Sequence, residues 1–382
     1  MRFFIVFMVL KLFATNIEYL NTLRISAGEI PLKKSVLLTK SAYNHSKYMY
    51  FNHIFSHYER QEDRFFTGVR PSDRAIYVGY KSRSVIENIS YGQDSFKESI
   101  DGLFSAIYHR FVFLDDSIDL IGMQKVGKFF TYDMGNSYLN NLCTKNTKFS
   151  YGRYYIDVCA NKNLKIKYSL YHDKENIIKK QNPKIILWPP RNSNNIPPVF
   201  YEEYPDPLPN YSVSGYPISV IFNSYYFKRI KLKSFKLFKD NKEIKNVKLM
   251  SIENDPNHKF KQNQFALFPL ERLDYNTIYR VVLKYVYKNQ LYSIIWNFKT
   301  KNLHVINVNK TSYKIKENKS YIFYFKPSNR NDKFKSYRVE FYENQHVDIK
   351  FIDFNTIKIK VKGKGKVKIY FSNAKKLNLL VY

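Results

Sequence analysis

The sequence predicts an α/β N-terminal unit followed by all-β, immunoglobulin-like sandwich modules, and three observations carry that reading. Between residues 34 and 163, helix-like stretches come first and strand-like stretches after, which suggests a sheet covered by helices. A proline-rich segment then interrupts the chain. Beyond it, short strand patterns recur with turn signals between them, the spacing of a β-sandwich.

Composition sets the outer limits. A chain of 382 residues holds about two or three domains. Hydrophobic residues make up 44%, enough to bury cores, which excludes wholesale disorder. The net charge of +31, from 63 basic and 32 acidic residues, raises the question of an anionic partner. However, 34 Tyr and 31 Phe against 12 Gly, with abundant lysine, is also what the codons of an AT-rich genome favour. The lysines are scattered along strand-like segments such as residues 357–362 rather than concentrated. Nucleic acid is therefore not the expected partner, whereas acidic polysaccharide or phospholipid remains compatible with the long-range charge.

The elements follow in chain order. Residues 1–22 read as a signal peptide or N-terminal anchor: Arg2 precedes a short apolar run, interrupted at Lys11 and too short to span a bilayer. A secreted, periplasmic or cell-envelope location is expected. Residues 35–56 carry Leu38, Ala42, Tyr48, Met49 and Phe51 at helical spacing, without Gly or Pro. Pro71 opens a second helix and Gly79 closes it. Asp94 is placed to cap a third, whose Phe96, Ile100, Leu103, Phe104 and Ile107 form one apolar stripe. Residues 118–122 and 128–133 read as strands, completing an α/β domain over 34–163.

Residues 164–197 read as a linker, because Pro189, Pro190, Pro197 and Pro198 cannot donate ladder hydrogen bonds. A sandwich is expected over 198–300, with Lys288, Asn289 and Gln290 turning a hairpin. A second small β-rich domain follows over 301–382, where Gly363 and Gly365 separate two strands. Cys143 and Cys159 are the two cysteines. They form either a local disulfide, worth about 3 kcal/mol for a loop of that size, or two buried thiols, and the pair is too few for a metal site.

Eight histidines occur, and His45, His53, His57 and His109 fall in the first domain. On a helix, His53 and His57 would share one face, but Ile54 stands where a zinc-protease helix carries Glu. No convincing nucleophile accompanies them: Ser56 and Ser105 read as ordinary helix-surface serines. No glycine-rich phosphate loop and no nucleophile elbow occurs.

The order Ala42-Tyr43-Asn44-His45-Ser46, then Phe55-Ser56-His57, then Phe66-Thr67-Gly68 and Pro71-Ser72-Asp73-Arg74-Ala75, then Glu87-Asn88-Ile89, then Ala106-Ile107-Tyr108-His109-Arg110, then Asp119-Leu120-Ile121-Gly122 resembles the bacterial CAP (SCP-like) domain over residues 35–135. That superfamily is named for cysteine-rich secretory, antigen 5 and pathogenesis-related proteins. The resemblance implies an α/β/α sandwich with a cleft lined by two histidines and two acids. His57, Glu87 and His109 match three of these, and Asp119 or Glu59 supplies the fourth. Two features depart from the family: Ile86 replaces the glycine before Glu87, and the cysteine framework of the eukaryotic members is missing.

Read by their own chemistry, His57, His109 and Glu87 are a chelating set for zinc or another divalent ion, or a general acid–base group. The leading expectation is a non-catalytic exported binding protein for a lipid or small apolar ligand, a divalent ion, or an envelope or cell-surface partner. The alternatives are a hydrolase or protease using His57, His109 and Glu87 on an activated water, and a cationic surface protein binding acidic polymer or membrane with salt-sensitive affinity.

Overall fold

A computed structural model describes residues 16–145 and 150–382, which separate into two compact units. The first holds residues up to 104, 108–186 and 222–228; the second holds 105–107, 187–221 and 229–382. No helix among the described residues is long and apolar enough to cross a membrane. The apolar run expected to act as a leader lies outside the described residues up to position 15. Residues 16–22, assigned to the same segment from sequence, instead begin helix α1 (Asn16–Ser26), whose Leu20 and Arg24 are buried.

The first unit continues with β1 (Lys33–Lys34), α2 (Val36–Asn52), α3 (Pro71–Tyr77), β2 (Val85–Tyr91), α4 (Phe96–Ser105), α5 (Ile107–Phe113), β3 (Leu120–Val126), β4 (Phe129–Gly135) and α6 (Ser137–Leu142). The small hairpin of β5 (Tyr154–Tyr155) and β6 (Ile166–Lys167) and helix α7 (Tyr168–Gln181) complete it. Four strands form one sheet in the order β1-β3-β4-β2, antiparallel except for β1 beside β3.

The central strand β4 is buried throughout, and its alternation shows why the unit has three layers. Thr131 turns to α2, where Ser46 Oγ donates to its hydroxyl at 2.9 Å, and Phe129 packs with Tyr48 and Met49 of the same helix. Tyr132 turns to the other face, its hydroxyl 2.6 Å from Ser99 on α4 and its ring 5.2 Å from Phe113 on α5. Ser35 caps α2 by accepting from Leu38 N at 3.3 Å. Asp94 does not cap α4. The residue beside the helix start is Ser95, whose Oγ accepts from Glu98 N at 3.2 Å, while Asp94 pairs with Lys128.

Helix α2 lies so close to β3 that a side chain at Gly122 would meet backbone: a Cβ there would stand 1.9 Å from Leu38 C and 2.0 Å from Thr39 N. We expect Gly122→Ala to destabilise the unit by at least about 3 kcal/mol, since backbone cannot swing aside as a side chain can. Chemical denaturation against Gly102→Ala, which meets nothing within 4 Å, checks this; equal losses would refute it.

Cys143 and Cys159 form a disulfide across 16 residues, settling the choice the sequence leaves open. The stretch 164–197 is not a linker. It contains β6, α7, β7 (Ile185–Trp188) and β8 (Ser193–Ile196), and its prolines stand where strands end and no ladder donor is required.

The second unit holds two sandwiches. The first is built from β7, β8, β9 (Ile218–Phe222), β10 (Lys231–Lys239), β11 (Lys242–Glu243), β12 (Val247–Met250), β13 (Gln264–Pro269), β14 (Ile278–Tyr287) and β15 (Gln290–Thr300). Its two sheets run β11-β10-β14-β15-β8 and β12-β13-β9-β7. The hairpin expected at Lys288 and Asn289 is present, both residues adopting positive φ between β14 and β15.

The second sandwich follows with β16 (Ile306–Asn307), β17 (Ser312–Ile315), β18 (Ser320–Tyr324), β19 (Tyr337–Glu340), β20 (His346–Asp353), β21 (Thr356–Lys362), β22 (Gly365–Phe371) and β23 (Lys376–Val381). Its sheets run β16-β18-β21-β20 and β17-β23-β22-β19 over a core that includes Phe323, Phe334, Ile357, Ile359, Val367 and Leu379. The modules are all-β and immunoglobulin-like, as the strand spacing predicts. Of the eight edge strands in these four sheets, only β20 exceeds four residues; it carries a register irregularity between Phe351 and Asp353.

Candidate functional site: an imidazole over a buried charge cluster

Helix α2 ends at Asn52, and His53 turns the chain through a left-handed cap (φ 53°) whose N–H bonds Met49 O. His53 and His57 therefore do not share a helical face. The loop that follows lays His57 beside β2, where its Nδ1 stands 2.8 Å from Glu87 Oε1. The other oxygen of Glu87 accepts from Arg74 on α3 at 2.5 Å. Arg74 also donates to the backbone carbonyls of His57 (3.0 Å) and Val69 (3.4 Å), tying the loop to the floor of the site.

Below these groups lies a second pair. His45 of α2 places Nδ1 2.9 Å from Glu59 Oε1 and Nε2 2.9 Å from Ser56 O. Both partners are acceptors, so whichever ring nitrogen carries a proton has an acceptor facing it. Glu59 in turn accepts from Thr67 N at 2.7 Å, and the side chains of His45 and Glu59 are wholly buried. Asp133 of β4, paired in register with Glu87 of β2, adds another buried carboxyl on the α2 face.

The charges sort themselves by neighbour. Burial alone would push the Glu87 carboxyl up, but Arg74, His45 and His57 together hold it well below the usual carboxylate range. Asp133 goes the other way. Burial and the adjacent Glu87 raise it well above the ordinary range, and Arg74 offsets only part. Of the two carboxyls, Glu87 is the one its neighbours favour as the anion, and Asp133 is the one driven toward its protonated form. Burial disfavours the Arg74 cation, yet Glu87, Asp133 and Glu59 outweigh that and raise its pKa.

A pH prediction follows from Glu87. Its folded pKa lies below the unfolded value of 4.5, so its stabilisation is present above that value and lost as pH falls through the folded pKa. We expect Glu87→Gln to flatten the fall in stability below about pH 4.5. Denaturant midpoints collected from pH 7 to pH 2 check it; an acid limb as steep as in the wild type would count against it.

The residues singled out by sequence are placed as follows. His57 and Glu87 are in contact, and Glu59 joins them through His45 and Ser56. His109 is half-buried on α5. Its carbonyl accepts from Asn88 Nδ2 at 2.9 Å, and Asn88, next to Glu87 on β2, faces the opposite side of the sheet. Asp119 accepts from Ser137 N (2.7 Å) and Ser137 Oγ (2.6 Å), bracing the start of α6.

Among the described residues, no three His, Cys, Asp or Glu side chains form a group that could hold a metal ion. In this arrangement the oxygens of Glu87 are taken up by the Arg74 guanidinium and the His57 imidazole. Sequence reasoning gave no role to His45, Arg74 or Asp133. The signals were a histidine inside the buried stripe of α2, an arginine early in a Pro-started helix, and a lone acid in the apolar strand Phe129–Gly135.

His57 is the polar group that this cluster presents outward, its side chain 41% exposed. The chain on either side of it carries the exposed rings of Phe55 and Tyr58, and Phe55 lies 6.3 Å from the exposed ring of Tyr91. Tyr91 continues onto Phe129 at 4.5 Å.

The three-layer unit with its imidazole–carboxylate pair is where the class is found: residues 17–128 match the model of the cysteine-rich secretory protein family, CAP, and the chain carries a CAP domain at its N-terminal end. An extracellular protein containing an SCP domain from Bacillus anthracis is similar at 21% identity, over 31% of this chain and 38% of that one, with a TM-score of 0.29. The match thus spans well under half of that protein's length. An outer surface protein from Borrelia burgdorferi is similar at 16% identity, over 30% of this chain and 85% of that one, with a TM-score of 0.27. Tandem immunoglobulin domains of titin are similar at 10% identity, over 44% of this chain and 87% of that one, with a TM-score of 0.17. No curated protein matches the chain.

Proposed function

We propose that the chain is an exported, non-catalytic binding protein whose CAP cleft holds an apolar ligand, such as a lipid chain, against His57 and its flanking rings. The observation that carries this reading is how the cleft's polar groups are spent. Glu87 is locked between Arg74 and His57, leaving the imidazole beside the exposed aromatic side chains of Phe55, Tyr58 and Tyr91. Hydrolysis would need a poised electrophile site and a base free to accept a proton, and Glu87 is held as a paired anion. Export is supported by the leader-like N-terminus and by the disulfide, which suits an oxidising compartment.

The test is a fluorescence titration of the full chain with dansyl-labelled dodecanoate, run beside zinc chloride. We expect saturable binding of the fatty acid that is lost in His57→Ala and in Phe55→Ser/Tyr91→Ser. Equal binding by the variants would overturn the reading. So would zinc uptake that disappears in His57→Ala, or a hydrolytic activity that disappears in Glu87→Gln.

The cationic-surface reading retains one supporting observation of its own. Residues 301–382 carry 19 basic against 6 acidic residues, a net +13, and Lys358, Lys362, Lys366 and Lys368 all stand exposed on β21 and β22. Retention on heparin that vanishes as salt rises would support it.

A further inference from the structure

Within the second unit, a cavity of about 480 Å³ opens between residues 211–213, 246, 270–274 and 324–330. That volume falls in the range of small-molecule sites. It belongs to neither sandwich alone, since Leu270 and Arg272 follow β13 while Tyr324 ends β18.

Its wall is asymmetric in how its charges are used. Both acids are already bonded: Asp274 with Lys239 Nζ at 2.7 Å, and Glu271 with Asn246 Nδ2 at 3.0 Å. Two of its three cations are not. Among the described residues Lys326 and Arg330 make no ion pair, and the Arg330 guanidinium lies 5.6 Å from the centre of the Tyr211 ring. Arg272 is 2% exposed, and its terminal nitrogens are held by Asp353 at 3.0 and 2.7 Å. Its Nε, by contrast, is buried with no hydrogen-bond partner among the described residues. The aromatic surfaces of Tyr211 and Tyr324 and the Asn329 amide suit a ring bearing hydroxyl groups rather than a bare ion.

We propose that this cavity binds an acidic saccharide, a sugar unit carrying a carboxylate or phosphate, with the anion toward Lys326 and Arg330 and the sugar ring against Tyr211. This goes beyond the cleft reading and stands independently of it.

The experiment is isothermal titration calorimetry of the full chain with glucuronate, glucose 6-phosphate, glucose and inorganic phosphate. It is repeated on Lys326→Gln/Arg330→Gln, on Tyr211→Ser and on His57→Ala. The expected result is saturable binding of at least one charged sugar, about tenfold or more tighter than glucose and weakened about tenfold or more in the double variant. Tyr211→Ser weakens both the charged sugars and glucose. His57→Ala leaves binding unchanged, which keeps this site distinct from the CAP cleft. A melting curve shows that each variant remains folded.

Which charged sugar binds identifies the anion as carboxylate or phosphate. The proposal is overturned if neither charged sugar binds, if glucose binds as well as they do, or if the double variant binds as the wild type does. It is also overturned if inorganic phosphate matches glucose 6-phosphate, since the cavity would then be a simple anion site.

Discussion

Arg74→Ala is expected to destabilise the CAP domain by about 3–5 kcal/mol at neutral pH, the cost of leaving a buried charge without its partner. One wholly buried guanidinium faces Glu87, Glu59 and Asp133, and only its contact with Glu87 is short, at 2.5 Å. Without it, Glu87 has lost the strongest of the charges that keep it ionised. The loss should therefore shrink as pH approaches about 4.5, where the unfolded carboxyl also takes up a proton. Arg74→Lys is expected to recover little. An ammonium cannot reach Glu87 and the carbonyls of His57 and Val69 together as the planar fork does. Hydrogen exchange read on β2 and α3 measures the opening free energy. A loss no greater than that of the exposed Arg70→Ala would contradict the account.

The second large effect is in the other unit. Asp353→Ala should cost about 3–5 kcal/mol, because Arg272 would remain buried without its carboxylate. The two groups form a bidentate pair joined by Tyr201 and Tyr275, and Arg272 stacks near Tyr324 at 4.8 Å. Burial would push Asp353 up, but Arg272 and the hydrogen bonds hold it below the usual range. Its contribution is thus present above the unfolded value of 3.8 and lost in acid. Denaturant unfolding followed by exchange in residues 272–277 checks it. Less than about 1 kcal/mol, the level of an exposed ion pair, would count against it.

What could be read in advance, and what could not, follows the range of the forces involved. The proline start at Pro71 and the hairpin at Lys288 and Asn289 depend on neighbours in sequence, and both are legible there, whereas the cap expected at Asp94 falls one residue later at Ser95. Helix α7 is not, because in Tyr168–Gln181 Ile178 is its buried residue, and a helix with so little apolar face gives no periodic signal. The prolines at 189 and 190 mark the end of a strand as readily as a linker, and only pairing with β9 distinguishes the two. In the site, the meeting of His57 with Glu87 could be anticipated from motif order. That Asn88 would carry α5 on the opposite face, and that Arg74 would stand beneath Glu87, depends on register and tertiary closure, which no local window contains.

A chain this rich in aromatic strands invites polymerisation through exposed backbone edges. Seven of the eight borders of the sandwich sheets are four residues or shorter, and the long one is kinked near its end and presents Asp348 and Lys350 to solvent. A molecule arriving alongside finds too few free N–H and C=O groups in line to extend the ladder. The consequence is colloidal: the protein should stay dispersed at concentrations where an equally aromatic sheet with long, flat margins would form fibres.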